Sequence, residues 1–163
     1  MIRKMSKCVI NYATIIGLVF ILAIPAFSGE LASREECVAK CQEVAKIISG
    51  KGKDEAIKTV NDAKGPFVWK DTYVYLMDME ANIVAHGPQP KFIGKNLMGL
   101  KDPISLQPWY PALFAKIKAG SNSGWFTYHW RKPDAEGIYE KNCYYERVGD
   151  LVVFAGVYGA RVK

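Results

Sequence analysis

Residues 139 to 158 read Tyr139-Glu140-Lys141-Asn142-Cys143-Tyr144-Tyr145-Glu146-Arg147-Val148-Gly149-Asp150-Leu151-Val152-Val153-Phe154-Ala155-Gly156-Val157-Tyr158. Two runs rich in Tyr, Val and Phe flank Gly149-Asp150, a pair suited to a tight turn, so strands are expected over 139–147 and 151–158. Just upstream, Trp125 to Arg131 has the same aromatic and β-branched character and adds a third strand. Strand alternation puts Phe126, Tyr128 and Trp130 on one face and Trp125, Thr127 and His129 on the other. Lys141, Cys143 and Tyr145 alternate in the same way with Asn142, Tyr144 and Glu146.

Working outward, Thr72 to Asp78 and Ile83 to His86 are two further extended runs joined by Met79-Glu80-Ala81-Asn82, a β-hairpin. After Gly87, residues 88–108 contain Pro88, Pro90, Gly94, Gly99, Pro103 and Pro108, spaced too closely for a long element, yet are too aliphatic for a disordered linker; a folded loop is expected. Trp109 to Ala119 predicts a short helix. At the other end, Val38, Cys41, Val44, Ala45 and Ile48 recur at helical spacing within residues 31–49, so an amphipathic helix must pack on something. Ser33 and Glu36 have the spacing of a capping box, and Gly50 and Gly52 are expected to stop the helix. A second helix follows from Lys53 to Ala63. The sum is an α+β domain: helices packed on a central antiparallel sheet of about five strands.

The first 28 residues have another character. Arg3, Lys4 and Lys7 precede an apolar run from Val9 to Ala26, the layout of an export signal, with cleavage expected before Gly29. The alternative is an uncleaved membrane anchor over residues 8–27. Either places residues 29–163, one domain, outside the cytoplasm, in the periplasm or an equivalent compartment. The sheet runs almost to the C-terminus, so no output domain is expected after it. The whole chain of 163 residues carries a net charge of +6, but three of these charges lie in the leader, leaving +3. With positive and negative residues interspersed, nucleic acid is not an expected partner. Beyond the leader the cysteines are Cys37, Cys41 and Cys143, read as buried free thiols, with a strained local Cys37–Cys41 disulfide as the alternative. No nucleophile signature or metal-ligand spacing occurs, so no catalytic residue, metal or cofactor is expected. Cys143 beside His86 or His129 would be the arrangement to reverse that.

The chain resembles the single Cache sensor domains found outside the membrane in bacterial chemoreceptors and sensor kinases. The resemblance is carried by Tyr73-Val74-Tyr75-Leu76-Met77-Asp78, Ile83-Val84-Ala85-His86 and Pro90-Lys91-Phe92-Ile93-Gly94-Lys95-Asn96. It continues in Gly124 to Pro133, Lys141-Asn142-Cys143-Tyr144-Tyr145 and Gly156-Val157-Tyr158, in that order after a long helix. The sequence departs from the family where an Asp-x-x-Gly turn is usual: Ala81-Asn82 replaces the Gly, and Asn82 is expected to take the turn conformation. The resemblance implies a PAS-like fold, with a long N-terminal helix against the sheet and a small ligand between the sheet and the loops on one face. It also implies a short organic acid as ligand, and the expected lack of an output domain adds a separate membrane receptor or kinase as partner. A homodimer through the N-terminal helix is a further possibility.

A small anion needs hydrogen-bond donors in a mostly apolar cup. Tyr128 and Trp130 are the expected lining, with Lys141 or His86 as the charged partner, Tyr73 and Tyr75 as the floor and Trp109 closing from the loop. Each has a plainer alternative. The aromatics serve equally as sheet core, His86 as a hydrogen-bond partner of the adjacent loop, Lys141 as a solvated strand lysine, and Gly94-Lys95-Asn96 as a simple turn.

Overall fold

The computed structural model describes residues 29–133 and 135–163, so the expected leader lies outside the described residues. In chain order the elements are α1 (Arg34–Lys51), α2 (Lys53–Val60), β1 (Val68–Trp69), β2 (Thr72–Asp78), β3 (Ile83–His86), a short 3-10 turn (Pro90–Phe92), α3 (Tyr110–Lys118), β4 (Ser123–Trp130), β5 (Tyr139–Val148) and β6 (Leu151–Arg161). Every strand pairing is antiparallel. The sheet runs β1-β2-β6-β5-β4, and β3 shares the outer edge of β2 with β1. The fold is α+β, as the sequence implies, with six strands rather than about five; two-residue β1 is too short to show a period.

α1 begins where the capping box places it. The Glu36 N–H donates to Ser33 Oγ (3.1 Å), and the Ser33 N–H donates to Glu36 Oε2 (2.9 Å). Caps of this kind are worth about 1 kcal/mol. The helix continues through Gly50, an expected stop, and ends only at Gly52, whose φ of 90° leaves the helical region. Gly50 is tolerated because helix is available to it; Gly52 adopts a conformation that other residues rarely reach.

Alternation sorts the sheet into two cores. One face buries Tyr73, Tyr75, Met77, Tyr145, Val152 and Phe154 under α3, which contributes Leu113, Phe114 and Ile117. The other buries Val74, Leu76, Tyr144, Val153 and Ala155 against Cys37, Cys41 and Val44 of α1 and Ala56 and Val60 of α2. Each fully buried aliphatic or aromatic side chain contributes roughly 1.5–3 kcal/mol, so the sheet is held from both sides. Two glycines mark close approaches. A Cβ at Gly156 would lie 2.7 Å from the Asn142 carbonyl, and one at Gly87 would lie 2.8 Å from that of Val60.

The β2–β3 turn differs from expectation in one residue. Ala81, not Asn82, takes the left-handed conformation, with φ of 65°. That geometry costs a non-glycine residue about 1–2 kcal/mol. It is offset by Asp78, whose carboxylate accepts from the backbone N–H groups of Glu80 and Asn82 (3.0 and 2.8 Å) and from Asn82 Nδ2 (2.7 Å). Gly94-Lys95-Asn96 is a turn docked on this hairpin: the Gly94 N–H donates to the Ile83 carbonyl, and Asn96 Nδ2 donates to the Glu80 carbonyl and Asn82 Oδ1.

Candidate functional site

Between the α3 face of the sheet and the 87–109 loop lies a cavity of about 30 Å³. Tyr73 and Tyr75 come from β2, Ile83 and His86 from β3, Phe92, Leu97, Leu100 and Trp109 from the loop, Tyr110 from α3, and Tyr128 and Trp130 from β4. Six of the seven residues expected at a site therefore meet around one space: Tyr73, Tyr75, His86, Trp109, Tyr128 and Trp130. The sequence reading missed Tyr110 and the aliphatic loop residues. Tyr110 follows a helix-capping Trp and reads as an ordinary helical position; only the packing of α3 turns it inward, where its hydroxyl lies 3.2 Å from that of Tyr75.

The loop is fixed from several directions. Trp109 stacks on Tyr128 (centroids 4.7 Å, planes 15° apart) and meets Trp130 edge-on at 6.0 Å. Such pairs contribute about 0.5–1.5 kcal/mol each beyond the area they bury. Asp102, only 4% exposed, accepts from the backbone N–H groups of Ile104 (2.8 Å), Ser105 (2.9 Å) and His129 (2.7 Å), and its Oδ2 lies 3.1 Å from His129 Nδ1. The Asp102 carboxyl is held below its usual range: burial opposes ionisation, and the three backbone donors and His129 outweigh it. Asp102 and His129 thus pin the loop to the free edge of β4.

His86 is buried, and its ring stacks near Tyr73 and Tyr75, with centroids 4.7 and 5.8 Å away. Its Nδ1 accepts the Gln89 N–H at 3.2 Å, so it does bond the adjacent loop, as the plainer reading holds. A ring that accepts at Nδ1 carries its proton on Nε2, so it offers a donor to the cavity side while remaining neutral. Burial, and secondarily the charge of Lys141, push its pKa down to about 4.

Lys141 is not a solvated strand lysine: it is 0% exposed. It stands behind the lining rather than in it, with Nζ 4.4 Å from the Tyr73 ring centroid, 4.5 Å from that of Tyr158, and donating to the Tyr158 hydroxyl at 3.1 Å. Burial works against its charge, and the field of Tyr128, Tyr158 and Tyr73 outweighs that and holds its pKa well above the ordinary lysine range. No carboxylate among the described residues forms an ion pair with it. On the cavity wall itself, the Trp109 indole N–H is buried and has no acceptor among the described residues. Buried polar groups in native proteins are almost always paired, so an orphan donor beside a cavity signals a missing acceptor.

Cys37, Cys41 and Cys143 are all buried and free. Burial raises the Cys37 thiol to about 12 and the Cys143 thiol to about 11, and Cys143 Sγ lies 3.8 Å from the Tyr75 hydroxyl without a hydrogen bond to His86 or His129. A protonated thiol without a base is a poor nucleophile.

The family model of single Cache domain 2 matches residues 36–160. No curated protein sequence matches the chain. Similar solved structures include a Cache chemosensory domain described for the structural basis of its carboxylic acid recognition, at TM-score 0.66 and 20% identity, covering 77% of this chain and 92% of that one. A methyl-accepting chemotaxis protein from Vibrio parahaemolyticus RIMD 2210633 aligns at TM-score 0.61 and 23% identity, over 76% of this chain and 86% of that one. The periplasmic sensor domain of a chemotaxis protein aligns at TM-score 0.59 and 19% identity, over 77% and 90% respectively. At these identities the likeness is one of fold.

Proposed function

Because the chain belongs to the single Cache domain 2 family, we propose that it is an extracytoplasmic sensor domain that binds a short monocarboxylate in the cavity beneath Trp109 and acts by binding rather than catalysis. The observation that carries this reading is a buried positive charge, Lys141, without a carboxylate partner, behind a wall that holds the unpaired Trp109 N–H. An isolated buried ammonium is costly, and an anion that accepts from nearby donors reduces the cost. The Nε2–H of neutral His86 and the hydroxyls of Tyr73 and Tyr128 supply further donors. The size of the cavity narrows the ligand. A water occupies about 10–15 Å³ on the same measure, so about 30 Å³ suits two or three waters or an acid as small as acetate or propionate. The reading extends to location and output: residues 1–28 as an export signal or anchor, and a membrane receptor or kinase that reads occupancy. It draws on the chemotaxis proteins among the solved relatives.

The test is a thermal-shift and calorimetry panel of acetate, propionate, lactate, pyruvate and amino acids against the purified chain. A ligand at a hundred times its Kd stabilises by about 2.7 kcal/mol, which for a domain of this size raises Tm by about 10 °C. Stabilisation by the smallest monocarboxylates, falling off with chain length, is the expected result. No stabilisation by any acid in the panel would sink the reading.

A further inference from the structure

The buried cation behind the cavity is linked through bonded side chains to the start of α1. Lys141 Nζ donates to the Tyr158 hydroxyl at 3.1 Å, and that hydroxyl donates in turn to the Arg131 carbonyl, also at 3.1 Å. The next residue, Lys132, forms an ion pair with Asp71 Oδ2 at 3.2 Å. Asp71, 5% exposed, accepts the backbone N–H of Ala32 on its other oxygen at 2.8 Å. Ala32 immediately precedes the Ser33 cap, where the chain enters α1. A second strut frames the same chain of contacts: the hydroxyl of Thr72, next to Asp71, donates to the carbonyl of Gly156, two residues before Tyr158. Lys141 and Ala32 are therefore joined by four side-chain links and one peptide bond.

We propose that Tyr158, the Arg131–Lys132 segment and Asp71 form a relay that couples an anion in the cavity to the backbone of Ala32 at the start of α1. The proposal rests on the carboxylate reading above. The ammonium donates to a neutral hydroxyl, that of Tyr158. A carboxylate is a charge-assisted acceptor, roughly twice as strong, and draws the ammonium off Tyr158. Hydrogen bonds in a chain polarise one another, so loosening the first weakens the hold of Tyr158 on the Arg131 carbonyl. The segment then shifts, and Lys132 carries the shift to Asp71, the carboxylate that anchors Ala32. Coupling between distant sites travels through contiguous bonded networks of this kind, and the segment it reaches is the one that leads out of the domain toward residues 1–28.

The experiment measures amide hydrogen exchange at Ala32 in the full chain, with and without saturating acetate, alongside acetate affinity by calorimetry. Wild type should bind acetate and change its Ala32 exchange by about threefold or more. Lys132→Gln, outside the cavity, should keep acetate affinity within about twofold while losing the Ala32 response, and Lys132→Arg should restore the response. Tyr158→Phe cuts the relay at an independent point and should lose the response as well. If wild type binds acetate but Ala32 does not respond, or Lys132→Gln responds as wild type does, the relay is overturned and the carboxylate reading stands. If no acid in the panel binds, both fall together.

Discussion

His86 and Lys141 are two cationic residue types in one protein with opposite fates. His86 is neutral at pH 7, because burial and the charge of Lys141 push its pKa down to about 4. Its depressed folded value fixes the sign of a pH effect. Between pH 6.5 and about 4 the unfolded chain binds a proton at His86 and the folded chain does not, so stability falls as pH falls through that window. The full loss is on the order of 3 kcal/mol. Urea midpoints at pH 7 and pH 4.5 should differ accordingly, and His86→Gln should flatten the difference. Lys141, by contrast, keeps its charge in full burial. Replacing it by Met removes a desolvated ammonium while keeping the stem, which for buried ions is commonly neutral or stabilising. Lys141→Met is expected to leave Tm unchanged or raise it while weakening carboxylate binding at least about tenfold, since hydrogen bonds to charged groups carry about 1.5–3 kcal/mol. Equal loss of stability and affinity would show that the lysine serves the fold instead. Both residues were visible in the sequence as donor types on strands, but nothing there told a solvated lysine from a buried one.

At the scale of elements, the 87–109 loop and the β5–β6 pair decide the site. Asp102 holds the loop through three backbone donors and His129. Asp102→Ala leaves those N–H groups without an acceptor and should cost about 2–3 kcal/mol, with faster amide exchange confined to residues 103–108 and weaker ligand binding because Trp109 loses its footing. The β5–β6 pairing leaves no room at Gly156: a Cβ there would meet the Asn142 carbonyl at 2.7 Å, the Cys143 Cα at 2.9 Å and the Lys141 stem at 3.1 Å. Gly156→Ala should therefore destabilise by about 1–3 kcal/mol and displace Lys141, read as lost affinity in calorimetry on protein that still shows native circular dichroism. The elements themselves were legible. β2 and β3 fall where the aromatic and β-branched runs place them, and the Ser33–Glu36 box opens α1. Where reading and structure part, the cause is local. Gly50 can stay helical, Ala81 can be forced left-handed by Asp78, and β6 runs on to Arg161 because β5 continues to pair with it there.

At the scale of the whole molecule, one sheet carries two unlike faces. The face under α1 and α2 is an apolar core with free cysteines, while the face under α3 keeps a small cavity rimmed by donors. The exposed positions of α1 include Glu35, Ala39, Gln42, Glu43, Lys46 and Ser49, which present no apolar stripe for a second helix. Among the described residues no helix is long and apolar enough to cross a membrane.

Strand alternation and helical spacing are local rules that the chain obeys wherever it lies, so all the elements but β1, and six of the residues that meet around the cavity, can be read along the chain. The burial of Lys141, the Trp109 donor without an acceptor among the described residues, the Asp102 latch on the loop and the inward turn of Tyr110 come from the packing. Each of those depends on which strand lies beside which, and burial and pairing are properties of neighbours far apart in the chain.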